Sequence, residues 1–202
     1  MADAKQVMEL RNRTGAGMVD CKMALEEAAG DMEKAIEILR KKGAAKAAKK
    51  SAERTASEGI VATYLHHTKK LAAMVEVQCE TDFVGRGEDF QNFANDVAMQ
   101  VAAMNPEFVS PETIPAEAVE KQRVFFTEEM AGENKPEDIK AKIVEGKLNK
   151  WYADACLTKQ QFFKDETKTI EQYMTEISAK TGEKIAISRF VRYEMVTTGK
   201  VC

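Results

Sequence analysis

The chain has 202 residues, 44% of them hydrophobic and 31% charged, with a formal net charge of -3. That length suits one domain, or one domain with a small module, and it is enough for a real core. The charge does not point to a nucleic-acid partner, and no apolar run approaches the roughly 20 residues that span a membrane. The start, "MADAKQVMEL", lacks the apolar stretch and cleavage site of a secretory leader. Cys21, Cys79, Cys156 and Cys202 are far apart and form no C-x-x-C pair, so no zinc or redox motif is expected. Unpaired thiols and eleven methionines suit a reducing cytoplasm.

Residues 4–43 predict three short helices. Val7 and Leu10 share a face of the first, which stops at "RTGAG". The second places Met18, Cys21, Leu25 and Ala28 at spacings of three and four and ends at Gly30. Asp31 is the expected N-cap of the third, with Met32, Ala35, Ile36 and Leu39 inward and Gly43 as its stop. The module spans 1–43. A basic, Ala- and Lys-rich linker follows over 44–56, expected to be solvated and partly helical. It lacks the aromatic residues that would stack on bases.

The core is expected over 57–202. "GIVATYLHHTKKLAAMVEVQ" alternates as two strands around a tight turn near His67–Lys70. A helix over 88–104 places Phe90, Phe93, Val97, Val101 and Met104 on one face, and "NPEFVSPETIP" is a loop. Residues 116–151 predict a protruding hairpin of two helices joined at "GENKP". In it Val119, Phe126 and Met130 oppose Ile139, Ile143 and Leu148. "LTKQQFF" suggests a strand and "TIEQYMTEISAK" a helix. "IAISRFVRYEMV" suggests a last strand, crowded enough in apolar residues to sit at the sheet centre. The fold class is α+β: a three-helix bundle, then a small antiparallel sheet packed with helices.

Catalytic motifs are missing. His66 and His67 are adjacent beside a turn and are expected in solvent, not on a metal. Glu80 and Asp82 have no base or nucleophile near them in sequence, so a metal-free acid–base enzyme is the weakest reading. "CETDFVGRGEDF" remains. Thr81 or Asp82 can cap local amides and stiffen the turn, and Phe83 follows them. For a phenylalanine beside a strand, pattern alone favours burial in its own core.

Here the chain resembles a known family. "LRNRTGAGMVDCKMALEEAAGDMEKAIEILRKKGAAKAAKK" is similar to the N-terminal module of bacterial elongation factor Ts, and "VEVQCETDFV" to that family's stretch around its exchange loop. "NPEFVSPETIPAEAVEK" and "KIVEGKLNKWYADACLT" are similar to its later segments.

The resemblance implies guanine-nucleotide exchange on the GTPase domain of elongation factor Tu, with no cofactor, metal, nucleic acid or membrane. It implies that Thr81, Asp82, Phe83 and Val84 form the loop that enters the partner near its magnesium and nucleotide, with Phe83 as a wedge. The N-terminal module, similar to ubiquitin-associated domains, would dock on the same domain, with Arg13, Gly17, Met18 and Val19 as its contacts. Against the long members, "EDFQNFANDVAMQVAAMNPEF" looks like the helices of two core repeats merged into one. The strands between those repeats and a helical tail are missing. This is the pattern of a short form with one core subdomain, and it leads to the expectation of a homodimer. The alternative is an RNA- or ribosome-associated protein that uses the basic linker and the charged hairpin.

Overall fold

The computed structural model describes residues 3–131, 133 and 136–195, with backbone alone for 44–53. Eight α-helices and five strands are assigned among them, and the fold is α+β. Cys202 lies outside the described residues, as do the side chains at 44–53 on which the nucleic-acid alternative partly rests. The chain divides into two compact units. One comprises Met1–Ala62, Glu76–Asn95 and Gln172–Ser188, and the other comprises Thr63–Val75, Asp96–Glu171 and Arg189–Cys202.

Three helices open the first unit: α1 (Ala4–Thr14), α2 (Met18–Glu27) and α3 (Met32–Glu53). The Asp3 side chain caps α1 by accepting from the Lys5 amide, and Gly15 closes it in the left-handed conformation. Asp31 caps α3, its Oδ1 accepting from the amides of Glu33 and Lys34 at 3.1 Å each. Val7, Leu10, Cys21, Ala24, Leu25, Ala28 and Ala35 form one buried cluster.

Two expectations fail here. Met18 is 43% exposed and does not join the cluster, because it stands at the first position of α2, one turn before Cys21. Gly43 does not stop α3, which runs on to Glu53. A glycine costs a helix only about 1 kcal/mol relative to alanine, and the Ala-rich stretch that follows favours continuation.

The sheet is antiparallel, in the order β1 (Glu58–Leu65), β2 (Leu71–Cys79), β5 (Ala186–Glu194). Its hairpin closes where the His66 amide donates to the Leu71 carbonyl and Lys69 takes a positive φ. A Cβ on Gly59 would stand 2.1 Å from the Val77 carbonyl oxygen, so only glycine lets β1 start this close to β2. The last strand is an edge, not the centre, and β2 takes the middle. The apolar crowding of β5 has a different cause: Val191 and Tyr193 face solvent.

Helix α5 (Glu88–Met104) has the expected bounds, with Phe90, Phe93, Val97 and Val101 fully buried. Met104, in its last turn, is exposed. In the first unit the Phe93 ring meets Tyr173 of α8 (Ile170–Thr181) edge-on, centroids 5.0 Å apart.

In the second unit the hairpin pairs α6 (Ala116–Met130) with α7 (Glu137–Ala155), so its second arm extends beyond 151. Met130, Val144 and Leu148 are its buried centre, flanked by Phe126, Ile143, Trp151 and Tyr152. Ile139, placed inward from its spacing, is exposed, and Val144 fills the stripe instead. The arms are also tied by Lys147–Glu129 at 2.7 Å and Arg123–Glu145 at 3.6 Å. Residues 132, 134 and 135 of the joining "GENKP" lie outside the described residues.

"LTKQQFF" forms a 3-10 turn, Leu157–Lys159, and then the short strand β3 (Gln161–Phe162), which pairs with the unexpected β4 (Asp165–Thr169). The amides of Leu157 and Thr158 donate to the carbonyls of Phe108 and Val109. Buried Gln100 donates to the Gln160 side chain and to the Gln161 carbonyl, and it accepts from the Phe163 amide. With its backbone groups satisfied in this way, the segment needs no longer strand.

Candidate functional site

All parts of the site belong to the first unit. At the end of β2 the chain turns through Glu80 and Thr81 into α4 (Asp82–Gly85), a single turn of helix. Thr81 is its N-cap, with extended backbone and a hydroxyl that accepts from the Val84 amide at 3.4 Å. The same hydroxyl donates to Glu183 Oε1 at 2.6 Å. Such caps fix the entry angle of a helix by satisfying an amide that the helix itself leaves unpaired.

The two apolar residues of α4 part ways. Val84 points inward and is only 9% exposed. Phe83 is 84% exposed, the most exposed large hydrophobic side chain among the described residues. Burial, which pattern alone favours for such a ring, is not what the fold does with it. Successive residues of a helix point about 100° apart, so an inward Val84 turns Phe83 away from the core. Asp82 is also exposed, and its carboxylate pairs with Arg86 one turn later at 3.0 Å.

Below the loop the Cys79 thiol is buried and donates to the Thr81 carbonyl at 3.1 Å. Burial pushes this thiol's pKa up, and the nearby Glu183 carboxylate pushes it further. It therefore stays protonated as a donor. Its sulfur lies 3.5 Å from where a Cβ on Gly85 would be, so the turn is filled from beneath.

Sequence reasoning missed the partners that lie beyond the loop. Glu183 follows α8, about a hundred residues away in sequence. Its Oε2 accepts from the amides of Glu80 and Thr81 at 3.0 Å each. The Glu80 carboxylate in turn accepts from the Lys184 amide at 2.6 Å and from Arg54 Nη1 at 3.2 and 3.3 Å. Glu80 is thus a structural brace between the end of β2 and the segment after α8. No local pattern marks these contacts.

The N-terminal candidates lie together at the start of α2. Gly17 is its N-cap, Met18 follows, and Val19 is 70% exposed. Arg13, at the end of α1, pairs with Glu33 at 2.7 Å. His66 and His67 stand side by side in the β1–β2 turn, ring centroids 4.1 Å apart. Among the described residues no group of three or more His, Cys, Asp or Glu side chains could hold a metal ion. No helix of the described residues is long and apolar enough to cross a membrane.

Comparison with known proteins agrees with the resemblance carried by the loop. A family model described as elongation factor TS matches residues 4–197. A protein named elongation factor Ts from Thermosipho melanesiensis is 53% identical over 193 residues, spanning 96% of this chain and 98% of that one. Its namesake from Desulforamulus reducens is 53% identical over 192 residues, spanning 95% and 88%. A third, from Syntrophus aciditrophicus, is 51% identical over 189 residues, spanning 94% of each. The chain therefore belongs to the elongation factor Ts family of translation elongation factors.

Proposed function

We propose that this protein promotes release of GDP from elongation factor Tu in the cytoplasm, with the loop Thr81–Val84 entering the partner's GTPase domain beside its nucleotide. The observation that carries this reading is Phe83, a large apolar ring 84% exposed on a turn whose backbone is held by capping and by side chains from elsewhere in the chain. A ring that finds no place in its own core but is rigidly mounted is suited to a partner's pocket, since little freedom is lost when it docks.

Phe83 and Asp82 make the contacts, Thr81 sets the turn and Val84 supports it from within. Tight binding of GDP depends on Mg²⁺ neutralising phosphate charge and on backbone donors around the phosphates. A wedge that displaces those elements weakens nucleotide binding. Coupling between the two ligands is reciprocal, so bound nucleotide weakens the factor's hold by the same ratio and incoming GTP expels it. No covalent bond is made or broken, and the protein works without a cofactor or metal of its own.

Met18 and Val19, with Gly17 and Arg13 beside them, supply a second attachment to the same partner. Two attachments on one chain raise avidity through effective concentration. The working form is a homodimer. In the second unit Leu65, Met74, Val191, Tyr193 and Met195 are all exposed, an apolar set on and beside the sheet. A twofold axis would cover that set with its own copy.

Release of fluorescent GDP from elongation factor Tu, chased with unlabelled nucleotide, tests the function. The wild-type chain should accelerate release and Phe83→Ala should lose most of that acceleration. Equal rates for the two would rule out the wedge. No acceleration by the wild type would remove exchange altogether.

A further inference from the structure

The loop that carries Phe83 is held by a reciprocal exchange of carboxylates. Glu183 takes three hydrogen bonds from the loop: the amides of Glu80 and Thr81 on Oε2, and the Thr81 hydroxyl on Oε1. Glu80 answers by taking the Lys184 amide on its own Oε1. Each short segment thus satisfies the other's backbone donors with a charged acceptor, the stronger class of hydrogen bond.

Glu183 is itself mounted rigidly. Ser178 Oγ donates to the Glu183 carbonyl at 2.5 Å, and the Thr181 hydroxyl accepts from the Glu183 amide at 3.4 Å while donating to the Ile177 carbonyl at 2.9 Å. Gly182 takes φ +79°, which lets the chain reverse directly after α8. Behind this turn Ile177 and Ile185 are buried. A continuous path of satisfied groups therefore runs from the C-terminal turn of α8, through one carboxylate, to the N-cap of the turn that presents Phe83. The Thr81 hydroxyl is the joint, because it accepts the Val84 amide while donating to Glu183.

We infer that Glu183 is a positioning residue for exchange: it fixes the loop in its presenting geometry before the partner arrives, and Glu80 supports it from the other side. This rests on the reading of Phe83 as the wedge. Glu183 need not touch the partner. Without it, two amides and a hydroxyl lose their acceptor. The loop then samples other conformations, and the freedom lost on docking is paid at binding instead of in folding.

The test combines a double-mutant cycle with a measurement on the free protein. GDP release from elongation factor Tu is followed with the wild type, Glu183→Ala, Phe83→Ala and the double variant, and amide hydrogen exchange at residues 80–84 is read in each protein alone. Glu183→Ala should slow release about tenfold, roughly the worth of one charge-assisted hydrogen bond. It should also deprotect the amides of Glu80 and Thr81. In the Phe83→Ala background it should cost less than about twofold, because the ring through which it acts is gone. Glu183→Gln keeps an acceptor and should fall between wild type and Glu183→Ala, and it carries the test if the alanine variant does not fold. Losses that multiply in the double variant would overturn the proposal, as would an unaltered rate for Glu183→Ala beside a slow Phe83→Ala. If Phe83→Ala alone exchanges like wild type, the wedge reading fails. The brace is then judged by amide exchange, where unchanged protection in Glu183→Ala overturns it and lost protection upholds it.

Discussion

Thr81 and Glu183, 102 positions apart in the chain, share two hydrogen bonds: hydroxyl to Oε1 at 2.6 Å and amide to Oε2 at 3.0 Å. Thr81→Ala removes the first of these together with the cap on the Val84 amide. It should lower stability by about 2.5–4 kcal/mol, the sum of a lost cap (about 1) and a lost hydrogen bond to a charged acceptor (about 1.5–3). Denaturant melts give the stability change. The same variant should slow GDP release, and Thr81→Ser, which keeps the hydroxyl, should restore both.

Phe83 and Phe90 are seven residues apart and opposite in fate, one exposed and one fully buried. Phe83→Ala should shift stability by no more than about 0.5 kcal/mol, as exposed positions do. Phe90→Ala should cost about 3–5 kcal/mol through the cavity it leaves. Thermal melting compares them directly. A large fall in the midpoint for Phe83→Ala would place the ring in the core and end its role as a wedge.

Val19→Asp puts a charge into the exposed apolar start of α2. Its effect on folding should be within about 0.5 kcal/mol. If Val19 meets the partner, burying that charge against an apolar surface should weaken binding to nucleotide-free elongation factor Tu at least about tenfold. Titration calorimetry on the intact chain measures it, and unchanged affinity would exclude this part of α2 from the interface.

Tyr193→Asp addresses the homodimer. Light scattering at micromolar concentration, with reductant present, should give twice the chain mass for the wild type and the single mass for the variant. A monomeric wild type with full exchange activity would remove the dimer from the mechanism.

Local pattern carried the helices and most of the strands. The turn glycines, the Asp31 cap and the spacing of Val7, Leu10, Cys21 and Leu25 state the N-terminal bundle in the sequence itself, because helix faces and caps depend on residues within a few positions. The bounds of α5 were legible for the same reason. Where expectation and structure part, some of the deciding residues are distant in sequence. Gly43 is not such a case: the Ala-rich stretch next to it carries the helix past a glycine that costs only about 1 kcal/mol. "LTKQQFF" reads as a strand until Gln100 and the carbonyls of Phe108 and Val109 take up its donors.

The same division holds for the site. The residue types of "TDFV" and their resemblance to an exchange loop are in the sequence, and so is the capacity of Thr81 to cap. The direction of Phe83 is not, because an apolar ring beside a strand belongs equally well in a core or in a partner. That direction was decided by Val84 filling the space beneath the turn and by Glu183 holding its amides. The sequence by itself determined the family, most of the secondary structure and the residue types of the Thr81–Val84 turn. Only the tertiary structure decided that β5 is an edge with Val191 and Tyr193 outward, and that the loop is braced from a hundred residues away. Period and capping are local, whereas the choice of which face is covered and which donor meets which carboxylate depends on segments that meet only when the chain has folded.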